Sequence, residues 1–240
     1  MMKTIFCMLC FAPVLAQAQT GVAASEPWAL KLTPSFYTTE QEHNAVDLNL
    51  RANNGAHAVW VGQYQRGNEF QQTRTGYEYT ANFNWGQMVP SMQAASGGFA
   101  GGSLSFQIGH PVYALLSVGR TNLRDYYNLN FDPNDMVTLG LGAHIGHDHQ
   151  LSLFTVKDNR LATDQMITHG VWRWQANDAD RWTTDLAYKD GRSSAGEARV
   201  SGRSGSLTYD HHQTFVRLAY DEKVNFSAHN QTRLSAGLRF

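Results

Sequence analysis

The sequence predicts an all-β protein, an up-and-down antiparallel transmembrane β-barrel that crosses a bilayer with its strands. Three observations predict it. From Trp28 onward apolar and polar residues alternate at period two, the mark of strands with one apolar face. Short turn-like breaks alternate with longer polar ones, as when tight turns gather at one rim and loops at the other. Aromatics collect at strand ends, where a lipid-facing surface meets the headgroups. Trp28, Trp174, Trp182 and Phe240 fall toward the short-turn side, and Phe36, Tyr188 and Tyr220 toward the long loops.

The first segment reads as a secretory signal peptide spanning 1–18. Lys3 gives the positive start, Ile5 to Leu15 an apolar stretch too short to span as a helix, and Ala16-Gln17-Ala18 a small-x-small cleavage site. A short segment, 19–27, follows, and 28–240 forms the barrel. Both cysteines, Cys7 and Cys10, lie in the leader, so the mature chain is expected to have no disulfide or thiolate chemistry. Removing Lys3 leaves a mature charge of about −2, which points away from nucleic acid. With 12% aromatics and a net charge of −1 the chain is not of the disordered class. Past the first twenty positions no apolar run reaches the roughly 20 residues of a membrane helix.

Segmentation gives fourteen strands, near 28–38, 44–53, 56–66, 69–79, 81–89, 98–109, 111–120, 135–145, 149–157, 163–175, 180–189, 204–210, 212–221 and 230–240. Tight turns are read at Asn53-Asn54-Gly55, Gly109-His110-Pro111, Gly146-His147-Asp148, Asn177 to Asp180 and Asp210-His211. Longer breaks are read at Thr39 to His43, Pro90 to Gly98, Arg120 to Asn134, Lys157 to Asp164, Asp190 to Arg203 and Asp221 to His229. Tyr77 to Phe83 holds no Gly or Pro, so the fourth break is poorly marked and twelve strands is the main alternative. Pro34 falls inside the first strand, where a closed barrel has no free edge for a missing N–H. A bulge or local unpairing is expected there.

The last strand, Leu234-Ser235-Ala236-Gly237-Leu238-Arg239-Phe240, alternates and closes on Phe. With the leader and the strand meander, it resembles the Gram-negative outer-membrane β-barrel proteins, with no narrower family indicated. The resemblance implies a bacterial outer-membrane location with the lipid bilayer as surroundings. It also implies that Leu234, Ala236, Leu238 and Phe240 are read as a signal by the barrel-assembly machinery.

With the apolar parity facing lipid, the charges left for the lumen are Lys31, Asp47, Arg51, Arg74, Glu78, Arg173, Asp185, Lys189, Arg217, Arg233 and Arg239. Eight are basic and three acidic, although the whole chain is nearly neutral. This predicts a cationic, partly blocked lumen passing at most small anionic solutes, since arginine suits carboxylate and phosphate. In size and lumen charge the chain is similar to small porins for anionic oligosaccharides. The alternative is structural: Asp47, Glu78 and Asp185 pair with neighbours such as Lys31, Arg51 and Arg74, and nothing is transported.

Outer-membrane enzyme chemistry is the remaining class, and the expectation is that the protein is not an enzyme and needs no cofactor. No His-x-Ser pair exists for a lipid-facing acyl hydrolase. Asp210-x-His212 falls at the inner turn, away from external substrates. His147 and His149 point oppositely unless Asp148 is extended. Gly97 to Gly102 opens a strand, so it is no phosphate loop. Asp125, Asp132, Asn134 and Asp135 supply hard oxygen ligands of the kind Ca²⁺ takes, in a segment that also reads as an ordinary turn. The same long loop carries Leu123, Tyr126, Tyr127, Leu129 and Phe131, so it is expected to fold inward or to meet a partner.

Overall fold

The structure, a computed structural model, describes residues 27–129, 132–158 and 160–240. The leader expected at 1–18 lies outside the described residues, as does 19–27 save for Pro27. Fifteen strand segments follow in order: β1 (Ala29–Thr39), β2 (Ala45–Asn54), β3 (His57–Arg66), β4 (Phe70–Tyr79), β5 (Ala81–Phe83), β6 (Gly86–Ala95), β7 (Phe99–Ile108) and β8 (Val112–Thr121). The second half holds β9 (Met136–Ile145), β10 (His149–Asp158), β11 (Met166–Gln175), β12 (Asp180–Gly191), β13 (Val200–His211), β14 (Thr214–Asp221) and β15 (Gln231–Arg239). All pairings are antiparallel between sequence neighbours, with β1 on β15 as the seam. A 3₁₀ turn at Val224–Phe226 is the one helical segment among the described residues.

β4 and β5 are one spanning strand. The register Glu78↔Ser91 against β6 continues unchanged as Ala81↔Met88, so the barrel is closed and has fourteen strands. The ladder lapses where Pro90 falls opposite Tyr79, because proline has no N–H to give. This corrects the fifth strand, expected at 81–89 with a loop from Pro90 to Gly98. Residues 81–83 instead finish the preceding strand, the turn is Asn84-Trp85, and Pro90 sits mid-strand. Its ring lies on the lipid parity shared with Met92, which is 63% exposed, so the missing N–H costs a rung and nothing else. Pro34 behaves alike: the seam pairs Leu32↔Leu238 and then Ser35↔Ser235, skipping two residues without changing register. That is local unpairing, not a bulge.

The strand expected at 204–210 runs further, from Val200 to His211, and its turn is His212-Gln213. Val200-Ser201-Gly202-Arg203 has the composition of a loop, yet Gly202 pairs with Lys189. A Cβ on Gly202 would stand 2.9 Å from the Glu222 carbonyl, so the barrel wall needs glycine there. One rim has only connections of two to four residues; the other carries all the long ones, together with three-residue turns at 67–69 and 96–98.

The two faces decide the environment. Leu139, Leu141, Leu153 and Leu186 point outward and are 63–65% exposed. Asp47, Gln72, Arg74, Lys189 and Ser235 point inward and are buried. Apolar outside and polar inside inverts a soluble sandwich, and a closed barrel satisfies every strand N–H and C=O without water. The outward aromatics form a dense belt on the short-turn side. Phe83 stacks on Trp85 with centroids 4.9 Å apart, and the Trp172 indole N–H donates to His149 Nδ1 at 3.2 Å.

Leu153 sits mid-strand opposite Leu141 on the lipid face. Leu153→Arg should lower unfolding free energy by about 2–4 kcal/mol, whereas the inward neighbour change Ser152→Arg should cost far less. Urea unfolding in lipid vesicles, read by heat-modifiable gel migration, separates the two.

Candidate functional site

The functional surface of a barrel is its lumen, and here the lumen is built asymmetrically. Large inward side chains lie flat on glycines of the adjacent strand. Trp60 faces Gly76, Tyr113 faces Gly142, Phe154 faces Gly140 and Phe215 faces Gly237, each as a direct cross-strand pair. A Cβ at Gly237 would come within 1.9 Å of the Phe215 ring, and one at Gly142 within 2.3 Å of Tyr113. The glycines thus let aromatic rings line the wall instead of standing across the opening.

In the 122–135 connection between β8 and β9, residues 126–129 and 132 turn inward. Its stem is clamped by Asp135, which accepts from the Thr121 N–H at 3.1 Å and hydroxyl at 2.5 Å. Arg160 of the next connection donates to the same carboxylate at 2.9 Å. Tyr126 stacks on Phe99 of β7, centroids 4.2 Å apart. Tyr127 stacks on Tyr64 of β3 at 4.9 Å, with the Arg66 guanidinium 5.5 Å from its ring. The buried Gln72 amide meets the Tyr127 N–H and C=O at 3.2 and 3.3 Å in the orientation that satisfies both. Leu129 is buried with Tyr37, Ala45 and Tyr64, and its carbonyl accepts from Arg233 Nη1 at 3.1 Å. Of the two expectations for this loop, folding inward is the one observed; Phe131 lies outside the described residues.

Tyr127 and Leu129 pack against β1–β4, Tyr126 reaches β7 and Asp132 reaches β11, and part of the opposite half stays open. There a cavity of about 610 Å³ is lined from β7 round to β15, with Arg173, Arg217, Arg233, Asp185 and His169 among its walls. On the other side of the loop a second cavity, about 540 Å³, is lined by Phe99, Asp125, Tyr126 and Leu161. A third of about 250 Å³ lies beside Trp60, Glu78 and Ser103. Asp132 borders all three, so the loop's inner end stands where they meet.

The strand parity places all eleven expected lumen charges inward, and their partners divide them. Against the covered wall, Arg74 Nη2 donates to Asp47 at 2.5 Å with both side chains under 10% exposed, and Arg51 pairs with Glu78. Lys189 pairs with Asp221. Arg239 and Arg181 share Asp210, the latter at 3.2 Å. Asp185 pairs with His169 at 3.0 Å. Lys31 lies over the Phe215 ring at 4.4 Å instead of meeting an acid. Arg173 donates to the Gln150 amide oxygen at 3.1 Å, and Arg217 to the Thr208 hydroxyl at 2.8 Å.

Sequence reasoning missed inward Arg66, Arg181, Asp158, Asp210 and Asp221. Each sits within two residues of a strand end, where expected boundaries were least sure. Asp210 is not at the inner turn as expected but within β13, since the turn starts later. The oxygen-bearing loop residues do not converge: Asp135 is taken by Thr121 and Arg160, Asp132 by His169, and Asn134 by Gln93 at 3.4 Å. Among the described residues no three His, Cys, Asp or Glu groups gather as metal ligands. His149 is an outward belt residue hydrogen-bonded by Trp172.

Known structures share this architecture. The crystal structure of the Acinetobacter baumannii outer membrane protein Omp33 matches 89% of this chain and 98% of its own, with TM-score 0.58 and 10% identity. The fold is that of an outer-membrane β-barrel. The KdgM porin covers 88% of this chain and 99% of its own at TM-score 0.49 and 9% identity, and OprD from Pseudomonas aeruginosa 91% and 96% at 0.49 and 8%. No protein-family model and no curated protein sequence matches the chain.

Arg74→Met leaves Asp47 a buried carboxylate without its cation, and should cost about 3 kcal/mol or more of barrel stability. The double change Arg74→Met with Asp47→Leu should recover most of it. Urea midpoints of the three proteins in vesicles test this.

Proposed function

We propose that the protein is an outer-membrane channel for small anionic solutes, narrowed by its inserted 122–135 loop. One observation carries the reading. On the open side of the constriction, Arg173 and Arg217 bond an amide and a hydroxyl, and among the described residues neither forms an ion pair. Their charge is therefore available to a passing solute, and guanidinium geometry favours carboxylate and phosphate. The charges against the covered wall are spent on each other and act as scaffold. Inward strand positions carry more bases than acids, so the lumen as a whole favours anions through its field. The inserted loop keeps the passage small.

This reading assigns no reaction to the barrel and no cofactor. It places the protein in the bacterial outer membrane, the location printed for the like-folded Omp33. For assembly, we assign Leu234, Ala236, Leu238 and Phe240 to recognition by the barrel-assembly machinery. Phe240 also belongs to the seam, where it exchanges backbone hydrogen bonds with Leu30 at 2.8 and 2.9 Å. Deleting Phe240 should lower folded yield in outer-membrane fractions.

In planar bilayers the protein should give small currents whose reversal potential in a salt gradient reports anion preference. The preference should fade as salt rises, because screening is about 10 Å at 0.1 M. Arg173→Glu with Arg217→Glu should abolish or reverse it. Currents that ignore both substitutions, or no current at all, would return the lumen charges to a purely structural role.

A further inference from the structure

His169 sits mid-way along β11, faces the lumen and is 2% exposed. Both ring nitrogens meet carboxylates. Nδ1 lies 3.0 Å from Asp185 Oδ1 on β12, and Nε2 lies 2.9 Å from Asp132 Oδ1 on the inserted loop. The ring is stacked on Phe154 of β10, centroids 4.8 Å apart and 9° from parallel, so it cannot turn away from either acid. An ionised carboxylate only accepts, and a neutral imidazole carries one N–H. Two carboxylates on two ring nitrogens therefore call for the imidazolium, with a proton on each.

We propose that His169 is the positioning residue of the constriction: its doubly protonated ring holds Asp132 of the β8–β9 connection against β11, and loss of one proton frees Asp132. The consequence for solute flow rests on the channel reading above; the latch itself does not. With one N–H left, one carboxylate must face a bare lone pair. Asp185 is fixed on a strand laddered on both sides, whereas Asp132 is held from a loop. Asp132 is the partner that leaves, at the point where the three cavities meet. A freed carboxylate there stands in the path of an anion, so release also weakens anion passage.

The other groups facing the ring do not duplicate the switch. β10 presents Phe154, and β12 presents Asp185 beside Ala187. Arg173 on its own strand, Arg217 from β14 and Arg233 from β15 line the same cavity. Guanidinium is not deprotonated in proteins, so these three supply field and no proton. Lys189, further along β12, is turned to Asp221.

Beyond Cys10 the sequence holds no cysteine, so Pro133→Cys puts one nitroxide beside Asp132, where it borders two of the cavities. With Pro133→Cys as background, the expected result is loss of the immobilised spectral component in a pH titration once the ring gives up one proton, reversibly. His169→Gln, which has no proton to lose in that range, should show no step. Asp132→Asn should also show none and stay docked, because its amide can donate to a bare ring nitrogen or accept from a protonated one. Being on the loop, it leaves the barrel wall untouched, and heat-modifiable migration verifies that each variant is folded. A label equally immobile across the range in the parent, or a step that survives His169→Gln, overturns the proposal. Currents are recorded on the same proteins: a mobility step without currents removes the channel reading and keeps the latch, and currents without a step do the reverse.

Discussion

Everything in this molecule follows from the need of a lipid-embedded backbone to satisfy its own hydrogen bonds. Within hydrocarbon an unpaired N–H or C=O costs several kcal/mol. A sheet can meet that demand only by closing on itself, through the β1–β15 seam here. Closure then forces period two into a contrast between lipid and lumen, because successive side chains point to opposite faces. It also explains the toleration of proline. Pro34 and Pro90 each leave a gap of about one rung while the register on either side holds, and the ladder on the opposite flank of each strand is intact.

The same closure fixes how much can go inside. A fourteen-stranded wall encloses more space than its own side chains fill. One half is occupied by a loop rich in aromatics, docked on Tyr37, Tyr64 and Phe70. The other half is kept open by glycines that let Tyr113, Phe154 and Phe215 lie along the wall. Loop docking and glycine placement are complementary: one fills part of the lumen, the other keeps large side chains flat against its wall.

Strand number, parity and rim assignment were readable because each depends on local alternation and turn residues alone. The fifth strand was misplaced because a proline in a strand and a proline in a loop look alike locally. Lumen-facing charges could be named from parity, but their partners could not. Arg51 and Glu78 lie two strands apart, a distance set by barrel curvature and side-chain reach. His169 went unrecognised for the same reason. Its acids come from a neighbouring strand and a loop, which the alternation along β11 does not reveal. The available signal was an inward histidine, an inward aspartate one strand on, and a second aspartate in a loop too apolar to stay in solvent.

Pairing in the lumen follows burial at its extremes. An ion stripped of solvent must find a counter-charge or remain costly, whereas an ion beside water need not. Arg74 and Asp47, under the docked loop, are nearly inaccessible and are paired. Arg173 is exposed and makes do with an amide oxygen. His169 stands at the border of the two regimes: dry on its wall side, it is paired like a buried ion, yet one of its two acids belongs to a loop that no β-ladder fastens.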